Sequence, residues 1–507
     1  MSAERGQPRW SGKYSAAVAL ALLALCPNIV LSTALTPLAQ VLSRDLHASV
    51  GGLQVAEALS NAGYALGAVV AAALAQRFVQ RRLFLGYEAA FVVGSVLAAL
   101  APGLPMFFAG RVLQGLATGL MLVAALPPLV TRFGVGKLPV TVAVVNVGLF
   151  GATTLGPIVG GLVAAAGAWR LLFAVLGVLG LLGLGVGLLA YQRSDPLAPD
   201  LPVDRTALVL ATVATVLPFL ATGLLTGRSL TAPVVLVPFV VGIAALVALV
   251  VIERRKREPL MPVRALSTQL PVTGTVVAMV AGAVFVTVVA LVGLLLTQVA
   301  QRGPAAAATL FWPMPVGLVI AAVAFGTLFR TRWLPVLVDV GLVALGLGAG
   351  VLLLAGSTDP GTGAVLLATF LLGLGAGATV SPGLFLAALG VPSSQLGRAF
   401  ALVELLRSEA GFAVTPVVLF LVGAAADPAR AVHLALLAML VLAALGLAAA
   451  LAIPALSGAR LRTPDLHHWL DEGEQALPSP ATGVHLRPGV EDESAEPLLP
   501  RKRPPAA

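Results

Sequence analysis

Charged and hydrogen-bonding side chains are rare in this chain, and those that interrupt its long apolar runs fall at helical spacings. Gln54, Glu57, Asn61 and Tyr64 are separated by three, four and three residues, which stacks them on one helix face. Arg111, Gln114 and Thr118 form a second single-faced stripe, and Glu404 and Arg407 sit three apart with Glu409 beyond them. A charge at the bilayer centre costs about 2.5–3.5 kcal/mol on insertion scales, so an ionisable residue kept there is a functional candidate. The chemistry on offer is uptake and release of a proton. Burial disfavours a carboxylate, an adjacent arginine favours it, and a small movement switches between the two. Two readings fit these residues. In one, Glu57 pairs with Arg111 and Glu404 with Arg407 only to fix helix packing. In the other, the pairs line a water-filled cavity and change protonation during a working cycle, with Asn28, Asn61, Tyr64, Gln114 and Thr118 facing a substrate there. Glu88 and Asp339, close to the ends of their apolar runs, read as structural.

The elements that position these residues must be membrane helices. Of 507 residues, 59% are hydrophobic and 10% charged, with a mean hydropathy of +1.00, whereas soluble domains carry about a quarter charged residues. The apolar runs reach 20 residues or more without strand alternation, which selects helices over a barrel of strands of about 10 residues. Breaks at Pro, Gly and charge predict fourteen spans, near 15–41, 51–76, 83–101, 105–131, 140–165, 170–191, 206–226, 233–252, 270–299, 305–328, 335–356, 363–390, 397–425 and 431–454. With both ends inside, the inner segments collect Arg77, Arg81, Arg82, Arg132, Lys137, Arg254, Arg255, Lys256, Arg257, Arg264, Arg330 and Arg332. The outer loops hold Arg44, Arg170, Arg228, Arg302 and Arg430. That asymmetry orients a polytopic chain with cytoplasmic termini in a bacterial cell membrane, and it accounts for the pI near 10.5 without a nucleic-acid partner. The single cysteine, Cys26, excludes an internal disulfide.

Internal repetition divides the spans. "LQGLATG" at 113–119 and "LLGLGAG" at 371–377 share L-x-G-L-x-x-G, and Pro157 and Pro416 recur at nearly the same offset in the following span. The simplest account is a six-helix bundle at 15–191, a linker with two additional helices at 192–269, and a second six-helix bundle at 270–455. The 14 residues before the first span read as a cytoplasmic N-terminus. Residues 456–507, polar, acidic and Pro-rich, read as a disordered cytoplasmic tail, in which "TPDLHHWLDEG" offers Leu466, Trp469 and Leu470 on one amphipathic face. In "GATTLGPIVGG", Gly156, Pro157, Gly160 and Gly161 suit a kinked, smooth helix face, either a packing seam or a gate. Phosphate-loop, zinc-ligand and nucleophile-elbow patterns are absent, so no enzyme and no cofactor are expected, and uphill work would draw on an ion gradient.

From about residue 15 to 455 the chain resembles the major facilitator superfamily, in its fourteen-span drug:proton antiporter branch. "RVLQGLATG" is similar to the R-x-x-Q-G motif of span four, which implies a proton-coupling role for Arg111 and carries over Gln114 and Gly115. "GPIVGG" followed by "WRLLF" resembles the antiporter motif, "ERRKREPLMPVRAL" the segment after span eight, and "LGRAFALVELLRSEAG" span thirteen with Arg407. The loop after span two departs from the pattern. In "ALAQRFVQRR" the gating residues Arg77, Arg81 and Arg82 remain, but Gln76 stands for the aspartate that anchors a cytoplasmic charge latch. "CPNIVLSTALTP" in span one lacks the acid common to the branch, a role Glu57 would take over. The resemblance implies a monomeric, proton-coupled exporter of small amphipathic or hydrophobic compounds, working by alternating access in a lipid bilayer. A lipid or glycolipid exporter, an importer, and a non-transporting sensor or assembly partner are the alternatives.

Overall fold

The computed structural model describes residues 9–192, 204–256, 259–356, 359–456 and 462–477. Every regular element among them is helical, and fourteen helices are long and apolar enough to cross a membrane. They are α1 (Tyr14–Asp45), α2 (Val50–Leu74), α3 (Gln80–Ala99), α4 (Leu104–Thr131), α5 (Gly134–Ala166), α6 (Trp169–Ala190), α7 (Arg205–Gly223), α8 (Pro233–Arg255), α9 (Gln269–Val299), α10 (Pro304–Leu328), α11 (Leu334–Leu354), α12 (Thr362–Leu389), α13 (Ser393–Gly423) and α14 (Pro428–Ala455). Local chemistry marks their irregularities. Pro27 precedes a turn at Val30 inside α1, and Pro313 restarts α10 after a break at Leu310–Trp312. Most of the linker between α6 and α7, and Arg257, lie outside the described residues.

Packing repeats with an offset of eight helices. α4 packs on α2 and α3 as α12 packs on α10 and α11; α3–α6 matches α11–α14, and α1–α5 matches α9–α13. The repeated L-x-G-L-x-x-G stretches explain part of this. A Cβ on Gly115 or Gly119 would overlap the carbonyl oxygens of Ser60 and Tyr64 on α2. A Cβ on Gly373 would overlap that of Met314 on α10, and one on Gly377 would stand 3.0 Å from that of Leu318. In both halves two glycines one turn apart let backbones touch, the close approach on which van der Waals association of membrane helices depends. Exposed large aliphatic side chains concentrate on α5, α6, α8, α10, α11 and α14, facing the hydrocarbon, whereas α1, α4 and α9 present none of the exposed large apolar side chains.

The halves meet along two seams. α5 lies against α10, and α2 against α13. The inserted α7–α8 hairpin covers the second seam, since α7 touches both α2 and α13. Phe219 of α7 packs on Phe412 of α13 at 4.9 Å between ring centroids, while a Cβ on Gly223 would stand 3.0 Å from Val55 and Ala58 of α2. The hairpin is fastened at its base. Asp204 caps α7 through the Ala207 N–H at 3.0 Å and pairs with Lys256, and buried Glu253 accepts from Lys256 at 2.7 Å and the Met261 N–H at 3.0 Å. Burial alone would raise the Asp204 carboxyl, but Lys256 and the Ala207 N–H outweigh it and hold it below its ordinary range.

The two ends of the bundle differ. At the face where α1 begins, here the near face, a single core joins both halves. It includes Leu126, Leu129 and Val130 of α4 with Phe325 of α10, Phe385 of α12 and Phe400 of α13. At the far face the buried cores divide, one around Phe107, Trp169 and Phe173 in the first half and one around Phe311, Leu352 and Val422 in the second, with only half-buried Phe150 and Ile158 of α5 packed against the latter. The near face is therefore sealed between halves.

The expected disordered tail is corrected over residues 462–477, which fold onto the near face; 457–461 and 478–507 lie outside the described residues. Leu466, Trp469, Ala476 and Leu477 are buried there. The amphipathic face anticipated around Leu466 and Trp469 is real, but it covers protein.

Candidate functional site

Apolar helices offer a buried guanidinium few partners, so α1 to α4 must bring polar groups to Arg111. Its side chain is 2% exposed. Nη2 donates to Glu57 Oε2 at 2.9 Å, and Nη1 donates to Gln114 Oε1 at 2.8 Å and Asn28 Oδ1 at 3.3 Å. Asn61 donates to the other oxygen of Glu57 at 3.1 Å. Gln114 passes the network to Ser95 of α3 at 2.8 Å, and Ser60 of α2 donates to the Arg111 carbonyl at 2.8 Å. Glu57, with a quarter of its side chain exposed, forms the edge of this cluster and Arg111 its interior.

Seven residues along the same face of α2, Tyr64 reaches the other half. Its hydroxyl lies against the Glu404–Arg407 pair of α13, close enough to interact electrostatically with both residues. Arg407 Nε donates to Glu404 Oε2 at 3.0 Å, and Nη2 contacts Oε1. Gly282 of α9 leaves room for the arginine stem, since a Cβ there would stand 3.1 Å from the Arg407 Cγ. One stripe on α2 thus serves two ion pairs, one inside the first half and one across the α2–α13 seam.

The remaining predicted residues separate. Asn28, Asn61 and Gln114 are hydrogen-bonded to the first pair rather than turned toward open space, and Gln54 contacts Thr226 at the end of α7. Thr118 is buried with its hydroxyl donating to the Gln114 carbonyl at 2.8 Å, within its own helix. Arg81 donates to the Leu188 carbonyl of α6 at 2.8 Å, inside the first half; Arg77 is half-buried and Arg82 exposed on the same connection. Gly156 and Gly160 face α1, against Thr33 and Ala34, whereas Gly161 faces Pro304 and Ala308 of α10 across the seam, and Pro157 is buried between them. Glu88 is buried between α3 and α6, where Gly183 makes space for its carboxyl, and Glu409 is buried in α13.

Sequence reasoning missed Ser60 and Ser95, and it missed Asn146, whose amide donates to the Gly377 carbonyl of α12 across the seam at 2.7 Å. An amide in an otherwise apolar stretch was the available signal for Asn146. Thr287 and Thr415 share a hydrogen bond of 2.7 Å between α9 and α13, and such isolated threonines carry no signal at all. Among the described residues no group of three or more His, Cys, Asp or Glu side chains is placed to hold a metal ion.

Comparison with known proteins agrees with this architecture. The Major Facilitator Superfamily profile matches residues 21–416. The uncharacterized MFS-type transporter YubD of Bacillus subtilis is 28% identical over 399 residues, 76% of either chain. The multidrug resistance protein B homolog of Mycobacterium tuberculosis is 30% identical over 325 residues, 61% of this chain and 58% of that one. Among solved structures, a peptide transporter POT in complex with sulfate superposes with a TM-score of 0.64 at 18% identity, covering 89% of this chain and 97% of that one.

Proposed function

This chain belongs to the major facilitator superfamily and is a membrane transporter, not an enzyme; we propose that it is a proton-coupled exporter of small amphipathic or hydrophobic compounds. The observation that carries the reading is the Arg111–Glu57 pair. A guanidinium buried this deeply stays charged and needs an anion, and the anion supplied is the more exposed member. When Glu57 takes a proton, Arg111 retains Gln114 and Asn28 as neutral acceptors, so the pair can open without stranding a bare charge. Export as the direction draws on the names of relatives such as the mycobacterial multidrug resistance protein.

In this reading residues 15–191 and 270–455 rock against each other, and the hairpin within 192–269 keeps the α2–α13 seam covered as they do. Span two links the pairs: movement of α2 at Glu57 is felt at Tyr64, and so at Glu404 and Arg407 on the opposite half. Near-face residues include Arg77, Arg81, Arg82, Arg132, Lys137, Arg254, Arg255, Arg264, Arg330 and Arg332, an excess of basic groups that supports a cytoplasmic position for that face. The sealed near face then corresponds to an outward-facing state. One proton moving down about 100 mV supplies about 2.3 kcal/mol.

The test uses energised inverted vesicles loaded with the chain. Uptake of a fluorescent amphipathic cation is expected, with collapse on adding a protonophore and loss in Glu57→Gln. Protonophore-insensitive uptake, or full transport by Glu57→Gln, would overturn the assignment.

A further inference from the structure

The tail segment is fastened to one particular place. Asp465 opens a short helical turn, accepting from the His468 N–H at 3.0 Å on its side chain and from the Trp469 N–H at 3.1 Å on its carbonyl. Gly473, at φ +75°, reverses the chain, and the Asp465 N–H closes the loop on the Ala476 carbonyl at 3.0 Å. The loop so formed grips the turn between α12 and α13. The N–H groups of Ala476 and Leu477 both donate to the Leu389 carbonyl, at 3.0 and 3.1 Å, and the Trp469 indole N–H donates to the Val391 carbonyl at 2.9 Å. These carbonyls belong to the end of α12 and the turn beyond it, where the helix leaves acceptors without an intrahelical partner. The indole itself is fully buried.

That turn is the foot of α13. Directly beyond it Gly397 meets Val123 and Pro127 of α4, with its Cβ position 3.2 Å from Val123, and Leu396 and Phe400 enter the core shared by both halves. Residues 463–467 line a cleft whose other walls are Val135 of the first half and Arg330 of the second, and Arg330 donates to the Val135 carbonyl there. The segment therefore sits where the halves must part if the near face is to open, holding the root of the helix that closes it. Arg81, by contrast, is bonded inside the first half.

We propose that residues 462–477 are a latch that holds the near face shut, by clamping the α12–α13 turn so that the foot of α13 stays against α4. Release of Trp469 from Val391 frees that turn, and the halves separate at Val135 and Arg330. The inference rests on alternating access but not on proton coupling.

Spin labels on Gly136→Cys and Arg332→Cys, in the full-length chain carrying Cys26→Ser, report the separation across this seam. Gly136 has open space around its Cβ position and Arg332 is exposed. Trp469→Ala is expected to raise the ratio of open to closed populations about tenfold, equivalent to about 1.4 kcal/mol. Trp469→Phe, which keeps an apolar ring but loses the donor to Val391, falls between it and the intact chain. This graded response also separates release of the latch from a misfolded tail. An unchanged ratio in Trp469→Ala overturns the latch. If the intact chain still shows a second, substrate-dependent distance, alternating access stands without it; a single distance in every variant and condition rejects both.

Discussion

Neutralising each member of the Arg111–Glu57 pair in turn, then both together, separates a packing device from a working group. Glu57→Gln leaves a fully buried guanidinium with two amide acceptors, Gln114 at 2.8 Å and Asn28 at 3.3 Å. Breaking a buried pair costs about 3–5 kcal/mol. The quarter exposure of Glu57 lets water replace part of what is lost, which moves the expectation to the lower end, about 3 kcal/mol. Arg111→Gln leaves a carboxylate that is already partly hydrated and still accepts from Asn61, so its cost is smaller, about 1–2 kcal/mol. Screened attraction between unit charges about 4 Å apart is about 4 kcal/mol at an effective dielectric constant of 20. The double variant recovers part of this, and the cycle should return a coupling of about 2–3 kcal/mol. Unfolding titrated with a denaturing detergent measures the energies, and protonophore-sensitive uptake measures function in the same three proteins. The double variant is expected to be more stable than Glu57→Gln and still inactive. Additive energies, with coupling below about 0.5 kcal/mol, would refute the pairing argument. A stable double variant that transports would show that the pair only fixes packing.

Two shorter predictions test the seams. Gly160→Ala should lower thermal stability and transport together, because its Cβ would overlap the Ala34 carbonyl of α1, whereas Gly151→Ala, whose nearest neighbour is 3.8 Å away, should leave both unchanged. In the tail, Glu474 and then Glu472 hold the His468 imidazole above its ordinary pKa, so protonation favours the folded turn on which the docked segment is built. That contribution is fully present below the ordinary histidine range and is lost as pH rises through the raised value. The open fraction across Gly136→Cys and Arg332→Cys should therefore increase from mildly acidic to mildly alkaline buffer, and His468→Gln should flatten the response.

Different kinds of signal decided what the sequence disclosed. The fourteen spans were legible because a helix in hydrocarbon must satisfy its backbone internally and face lipid with apolar side chains, which imposes length and composition on every span. The predicted bounds fall within a few residues of the helices, except that α5 begins at Gly134 against an expected 140. The Glu57 stripe was legible for a related reason, since polar residues in so apolar a background are few and their spacing fixes their face. Partners on other helices were not legible. Nothing in the sequence ties Ser95 to Gln114, or Asn146 to a carbonyl 231 residues away. Thr118 shows the limit of the facing argument: it shares the stripe with Arg111, yet its hydroxyl is taken by its own helix.

The glycines of "GATTLGPIVGG" make the same point about scale. Their composition indicated a smooth face, but the faces are two. Gly156 and Gly160 seat α1 inside the first half, and Gly161 meets α10 of the other half. A helix packed on both sides cannot slide freely against one neighbour without carrying the other. α5 therefore moves with the first half, and movement on this side falls at its contacts with the second half, among them Gly161 on α10, the Asn146–Gly377 bond, Gly326 against Pro139, and Val135 beside Arg330. On the opposite seam the contact combines the polar approach of Tyr64 with an apolar cluster of Ala58, Ala62 and Phe412, with Phe219 of α7 as a cover. Such unequal seams favour a rocking motion that parts the near-face ends of α5 and α10, at Val135 and Arg330, and works α2 against α13, where both ion pairs meet the same helix face. The tail latch fits this asymmetry, because the turn that it holds is the foot of α13, the helix with the most to move.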